Sequence, residues 1–193
     1  MIKVVLISGS LRRGSVNSAA LRAVRRIVGE RREPTEVVSL PIGRIPFYDG
    51  DFEYARTTAA VRAARSLVAA ADALVISTPS YNGAVPGVLK NALDWLSRPD
   101  GACALSGKAV AVLSASPGGR GAIDAQPALM DLLDACEAVV VEHPPVAIAR
   151  AHERLDESGE MTEPDAVAEL RSLVDATFEA LRILGEQRAS VAA

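Results

Sequence analysis

The feature that most constrains how this chain can fold is an alternation repeated along its length. A short, unbroken aliphatic run is followed each time by a stretch whose apolar residues recur at helical spacing. Lys3 to Ile7 (KVVLI) is the first such run, and its continuous β-branched and aliphatic residues read as a strand buried on both faces, as in a parallel sheet. It ends at Ser8-Gly9-Ser10, and from Asn17 onward Ala20, Leu21, Val24, Ile27 and Val28 form one helical stripe. Glu36 to Leu40 gives a second strand, followed by the loop PIGRIPFYDGD and a helix with Ala60, Val61, Ala64, Leu67 and Val68 inward. Ala73 to Thr78 is a third strand, stopped by Pro79. The next helix has Pro86 near its first turn, where a missing N–H costs nothing, and carries Leu89, Ala92, Leu93 and Leu96. Ala109 to Leu113 and Ala138 to Val141 supply strands four and five, with a helix bearing Leu129, Leu132 and Leu133 between them. A long helix from about Pro164 to Glu186 closes the pattern, and His143 to Glu163 reads as an irregular connection to it.

Parallel neighbours need helical crossovers, so this alternation predicts an α/β fold: a doubly wound, five-stranded parallel sheet between two layers of helices. At 193 residues the chain suits one domain spanning 1–193. Its apolar runs are strand-sized and fall short of the roughly 20 residues needed to cross a bilayer, so no membrane partner is expected. The opening MIKVVLISGS runs straight into a Gly/Ser turn and lacks a signal peptide's cleavage pattern, which predicts a cytoplasmic protein. Cys103 and Cys136 form no CxxC or Cys/His cluster, so two reduced thiols and no metal site are expected. The formal charge of −3 and the scatter of basic among acidic residues give no electrostatic case for nucleic acid. The local exception, Arg22, Arg25, Arg26, Arg31 and Arg32, reads as the solvated face of a helix.

In open α/β sheets ligands collect beyond the carboxyl ends of the strands, where the winding reverses. That rule selects the loops after strands one, three and four: GSLRRGSVNS (Gly9 to Ser18), PSYNGAVPG (Pro79 to Gly87) and SASPGGRG (Ser114 to Gly121). The first has neither the GxGxxG of a dinucleotide turn nor the GxxxxGK[ST] of a P-loop. It offers the hydroxyls of Ser10, Ser15 and Ser18, the amide of Asn17 and the guanidinium of Arg12, just ahead of a helix whose first N–H groups lack partners. Such a set suits a terminal phosphate, each charge-assisted hydrogen bond contributing about 1.5–3 kcal/mol. An ordinary polar turn with Asn17 or Ser18 as helix cap remains the alternative. In the second loop Ser80, Tyr81 and Asn82 follow Pro79, and Gly83 lets the backbone approach a flat ligand with no Cβ in the way. The Ser-Pro-Gly-Gly segment of the third could close the other side.

GSLRRGSVN, STPSYNGAVPGVLKNALDWLSRP and SASPGGRG together resemble the NAD(P)H-dependent FMN reductases, which include quinone, chromate and azo-dye reductases. The resemblance covers roughly the first three quarters of the chain, and the middle motif is its most specific part. It implies a flavodoxin-like sheet of order 2-1-3-4-5, noncovalently bound FMN, NADPH or NADH as electron donor, and homodimers or tetramers. Carried over by position, it implies that Ser10, Arg12, Ser15, Val16, Asn17 and Ser18 hold the phosphate end. Pro79, Ser80, Tyr81, Asn82 and Gly83 line the isoalloxazine, with Ser116, Pro117, Gly118 and Gly119 beside it. One departure stands out: family members often carry Glu directly after the proline of the middle motif, where this chain has Ser80.

The function so implied is transfer of a hydride from NAD(P)H through flavin N5 to a small acceptor: a quinone, an azo compound, chromate or free flavin. No protein acid or base is required, so no catalytic side chain is assigned. His143 and His152 fall in the weakly patterned region, and Asp94 reads as an exposed helix carboxylate. The rival reading is a flavodoxin-type electron carrier that docks a partner reductase; such carriers are as a rule strongly acidic, and a charge of −3 speaks against it. A phosphate-binding regulatory domain without flavin is a second rival. Arg44 and Arg120 are candidates for an NADPH 2′-phosphate on their charge and loop position alone. Phe47, Tyr48, Phe52 and Tyr54 crowd one loop, either to anchor it to the core or to meet a partner subunit, and the resemblance favours a homodimer with this loop near both interface and site.

Overall fold

The computed structural model describes residues 1–53 and 57–192. Six strands, β1 (Ile2–Ser8), β2 (Thr35–Ser39), β3 (Ala73–Thr78), β4 (Ala109–Ala115), β5 (Val139–Val140) and β6 (Val146–Ile148), alternate with α1 (Val16–Gly29), α2 (Ala59–Ala69), α3 (Gly87–Leu96), α4 (Gln126–Asp134) and α5 (Pro164–Ala192). The strands form one parallel sheet in the order β2-β1-β3-β4-β5, with β6 also paired to β4. This is the flavodoxin-like winding.

Alternate residues of each central strand serve opposite faces. From β1, Val4 and Leu6 pack with Val24 and Ile27 of α1 and Leu170 and Val174 of α5; Val5 and Ile7 pack with Val61 and Val68 of α2 and Leu89 and Leu93 of α3. Burying each such aliphatic side chain contributes about 1.5–3 kcal/mol, which is why the middle of each central strand is aliphatic. β3 and β4 are buried at every position. β3 stops where Pro79 removes a donor, and Ser15 starts α1 by accepting from the Ser18 N–H at 3.3 Å.

The outer edge departs from expectation. The fifth strand is broken: β5 pairs with the first residues of β4 (Ala109↔Val139, Val110↔Val140) and β6 with its last (Leu113↔Val146 to Ala115↔Ile148). Pro144 and Pro145 lie between and bring no N–H to the ladder, so the strand leaves the sheet and returns. β6 falls inside the stretch expected to be irregular. Among the described residues no helix is long and apolar enough to cross a membrane.

Candidate active site

The loops after β1, β3 and β4 converge at the carboxyl end of the sheet, and a buried polar frame joins them. Asn17, 2% exposed, is its centre: Nδ2 donates to the Ala115 carbonyl at 2.9 Å, while Oδ1 accepts from the Ala115 N–H at 3.2 Å and from Ser77 Oγ at 2.8 Å. The β3–β4 ladder ends at Thr78↔Ser114, so Ala115 has no strand partner on that side, and the Asn17 amide takes the place of one. This assigns Asn17 a different task from the one its sequence position suggested. Its side chain faces inward and is held by the protein, so what it presents toward the loop is its backbone N–H.

Around that anchor the first loop is concave and rich in donors. Ser10 and Ser15 are buried, Ser18 is half-buried with Oγ donating to Ser8 Oγ at 3.1 Å, and Arg12 is exposed at the rim. No described residue accepts from the amides of Val16 and Asn17, and α1 has no acidic residue in its first turn. Free N–H groups, a helix dipole, hydroxyls and the loop arginines, with no acid in the first turn of α1, match the needs of a phosphate dianion. The residues present therefore fit the phosphate end of FMN.

The second loop is a two-residue turn. Tyr81 and Ala84 exchange backbone hydrogen bonds of 3.0 and 3.2 Å, and the residues between them, Asn82 (φ 55°) and Gly83 (φ 79°), are both left-handed. Asn-Gly is the pair that most readily adopts this geometry. The turn leaves the amides of Ser80, Asn82 and Gly83 without described protein acceptors, a row of donors suited to the carbonyl edge of a flat heterocycle. Between this turn and the first loop an open, mainly apolar cleft of about 390 Å³ is walled by Leu11, Tyr81, Pro86 and Val88, with Arg12 at its edge.

The third loop is fixed by its backbone. Ser116 N–H donates to Ile148, Ala151 to Ser116, and Arg150 to Gly118, at 2.9–3.1 Å. Gly121 (φ 60°) is obligatory, since a Cβ there would lie 2.5 Å from the Ala147 carbonyl. Gln126, 4% exposed, donates through Nε2 to Ser114 Oγ and the Val146 carbonyl, both at 2.8 Å, and so fastens the start of α4 to β4 and β6. From this turn Asp124 accepts Ser80 Oγ at 2.7 Å, linking the third loop to the second. That hydrogen bond first, then a backbone one and the Arg120 charge, holds the Asp124 carboxyl below its usual range. Neither Gln126 nor Asp124 was evident in the sequence, where both look like ordinary residues at a helix start.

The other candidates have partners of their own. His143 bonds Pro144 and Ser172, His152 lies beside Glu153, and Asp94 pairs with Lys90 on the surface of α3. Cys103 and Cys136 are free thiols, Cys136 being pushed up to about 11 chiefly by burial. No cluster of metal-binding side chains occurs among the described residues. The aromatic loop divides in two. Tyr48 is an anchor, edge-on to Trp95 at 4.9 Å with its N–H on Asn91 Oδ1, while Phe47 is 88% exposed and Phe52 40%. Tyr54 lies outside the described residues.

The profile of the family described as NADPH-dependent FMN reductase matches residues 2–153. An NAD(P)H-dependent FMN reductase of Pseudomonas aeruginosa is 39% identical, covering 94% of each chain. A 2-hydroxy-1,4-benzoquinone reductase of a Burkholderia species is 34% identical over 90% of this chain and 93% of its own. Among solved structures, the flavoenzyme NAD(P)H:(acceptor) oxidoreductase FerB of Paracoccus denitrificans superposes with a TM-score of 0.86 at 31% identity, covering 94% of this chain and 98% of its own. With that profile spanning most of its length and all three site loops, this chain belongs to the NADPH-dependent FMN reductase family.

Proposed function

We propose that this protein is an FMN-dependent NAD(P)H oxidoreductase that reduces small acceptors, with a quinone, an azo compound, chromate or free flavin as the acceptor class. The observation that carries this reading is the donor-lined concavity at the start of α1, open to a phosphate and joined by the Asn17 frame to a turn with unpaired backbone amides. Relatives named for FMN reduction and for benzoquinone reduction support the same chemistry.

Ser10, Ser15, Ser18, Arg12 and the amides of Val16 and Asn17 hold the phosphate. Pro79 to Gly83 line the ring, and Ser116 to Gly119 close beside it. Bound FMN would supply the two-electron, hydride-transfer chemistry that connects a nicotinamide donor to the acceptor. The protein's part is to orient: rigid backbone turns aim amide donors at the ring edge, and the apolar walls Leu11, Tyr81 and Val88 limit water at the cleft. No side chain is needed to move a proton: His143 bonds Ser172, and His152 lies beside Glu153. Donor and acceptor that share one face must take turns, so double-reciprocal plots at several acceptor concentrations should be parallel. Intersecting lines would mean simultaneous binding and would overturn this mechanism.

The working assembly is a cytoplasmic homodimer built from the single domain, with Phe47 at the subunit contact. A large aromatic side chain 88% exposed on an anchored loop is the kind of surface that interfaces enrich.

A further inference from the structure

Asp124 ties the third loop to the second, the turn assigned to the flavin ring. Its Oδ2 accepts Ser80 Oγ at 2.7 Å, and the same oxygen lies 3.9 Å from where a Cβ on Gly83 would sit, so the carboxylate hangs over the turn assigned to the isoalloxazine. The support beneath it is stiff. Gly121 and Ala122 are both left-handed, Gly121 presses on the Ala147 backbone, and Gln126 clamps the next turn to β4 and β6. The side chain that binds Asp124 is the neutral Ser80 hydroxyl, and among the described residues no cation comes within ion-pair distance, so its negative charge is not cancelled by a close partner. Arg120, on the same loop, is the cation that acts on it, and it acts more weakly than the Ser80 hydrogen bond.

We propose that Asp124 is a specificity-determining residue: a fixed negative charge at the edge of the flavin ring that lowers the flavin's midpoint potential and disfavours anionic acceptors. This rests on the FMN reading above. Reduction adds electron density to the ring, so a nearby carboxylate raises the energy of the reduced form more than that of the oxidised one. The same charge opposes a sulfonated or carboxylated acceptor approaching the ring and leaves a neutral quinone unaffected. For one charge at a partly exposed site, a threefold to tenfold effect is the expected order, about 15–30 mV for a two-electron couple, and salt should reduce it.

Asp124→Asn keeps an oxygen for Ser80 and removes only the charge; Asp124→Glu keeps the charge. The FMN-loaded proteins are compared by dye-equilibrated midpoint potential, by fluorescence titration of FMN, and by kcat/KM for 1,4-naphthoquinone against its 2-sulfonate. The expected result is a potential raised by about 15–30 mV in Asp124→Asn, a threefold to tenfold gain for the sulfonate relative to the neutral quinone, and near wild-type values in Asp124→Glu. An Asp124→Asn protein that binds FMN with unchanged potential and unchanged preference would overturn the inference, and so would equal shifts in both variants. A purely structural role at the head of α4 would move only the melting temperature. Failure of the wild-type protein to take up FMN would instead overturn the flavin reading, and this inference with it.

Discussion

Replacing Asn17 by Ala separates two roles that this position could play. In the structure its amide is the partner of both backbone groups of Ala115 and of Ser77 Oγ, all at sites that are 0–2% exposed. The Ser77 hydroxyl can rotate to another acceptor, but the Ala115 N–H and carbonyl would be left buried and unpaired. At about 1–3 kcal/mol for each orphaned group, the variant should lose about 2–6 kcal/mol. That is a large part of the 5–15 kcal/mol typical of a domain, and at about 2–4 °C per kcal/mol for a chain of this size the apo protein should melt about 5–20 °C lower. FMN affinity should fall as well, because the helix start and the ends of β3 and β4 are no longer held in register. The assay is thermal unfolding of the flavin-free protein, followed by fluorescence titration with FMN. If the apo melting temperature moved by less than about 2 °C while FMN binding weakened tenfold or more, Asn17 would be a phosphate ligand and not a frame residue, and the reasoning would be refuted.

Arg12→Ala removes a cation at the rim of the α1 cradle and should weaken FMN binding about 10- to 100-fold with little change in apo stability, since Arg12 is exposed; unchanged affinity by titration would sink the phosphate assignment. Phe47→Ser should loosen the dimer in sedimentation experiments while leaving the melting temperature almost unchanged. Tyr48→Ser should mainly destabilise the fold, because Tyr48 packs on Trp95. A wild-type protein that is monomeric at micromolar concentration and fully active would refute the dimer.

The sheet was legible because its strands are buried on both faces and so leave continuous aliphatic runs, because Pro79 marks where β3 ends, and because the change of period at Asn17 falls within a residue of the start of α1. The break in the fifth strand was not. Val146–Ile148 is only three residues long and follows two prolines, so local pattern reads as loop, and only pairing with Leu113 to Ala115 makes it a strand. Within the site the residue types were readable, but not the partners they use. Asn17 has the composition of a phosphate ligand, yet its amide is engaged 98 positions away at Ala115. Asp124 and Gln126 stand just ahead of and at the start of α4, where acids and amides are commonplace, and the contacts that distinguish them arise from other loops. For the aromatic loop the core-anchor reading holds for Tyr48, which packs on Trp95, whereas Phe47 is exposed.

The most direct test is the cofactor of the purified protein. After loading and desalting, heat-released flavin should be FMN and not FAD, at about one per chain, and the bound flavin should bleach within the enzyme's turnover time when NADPH or NADH is added without oxygen, then recolour on adding a quinone. A protein that retains no flavin, or one whose bound FMN is not reduced by either nicotinamide unless a partner reductase is supplied, would contradict the assignment.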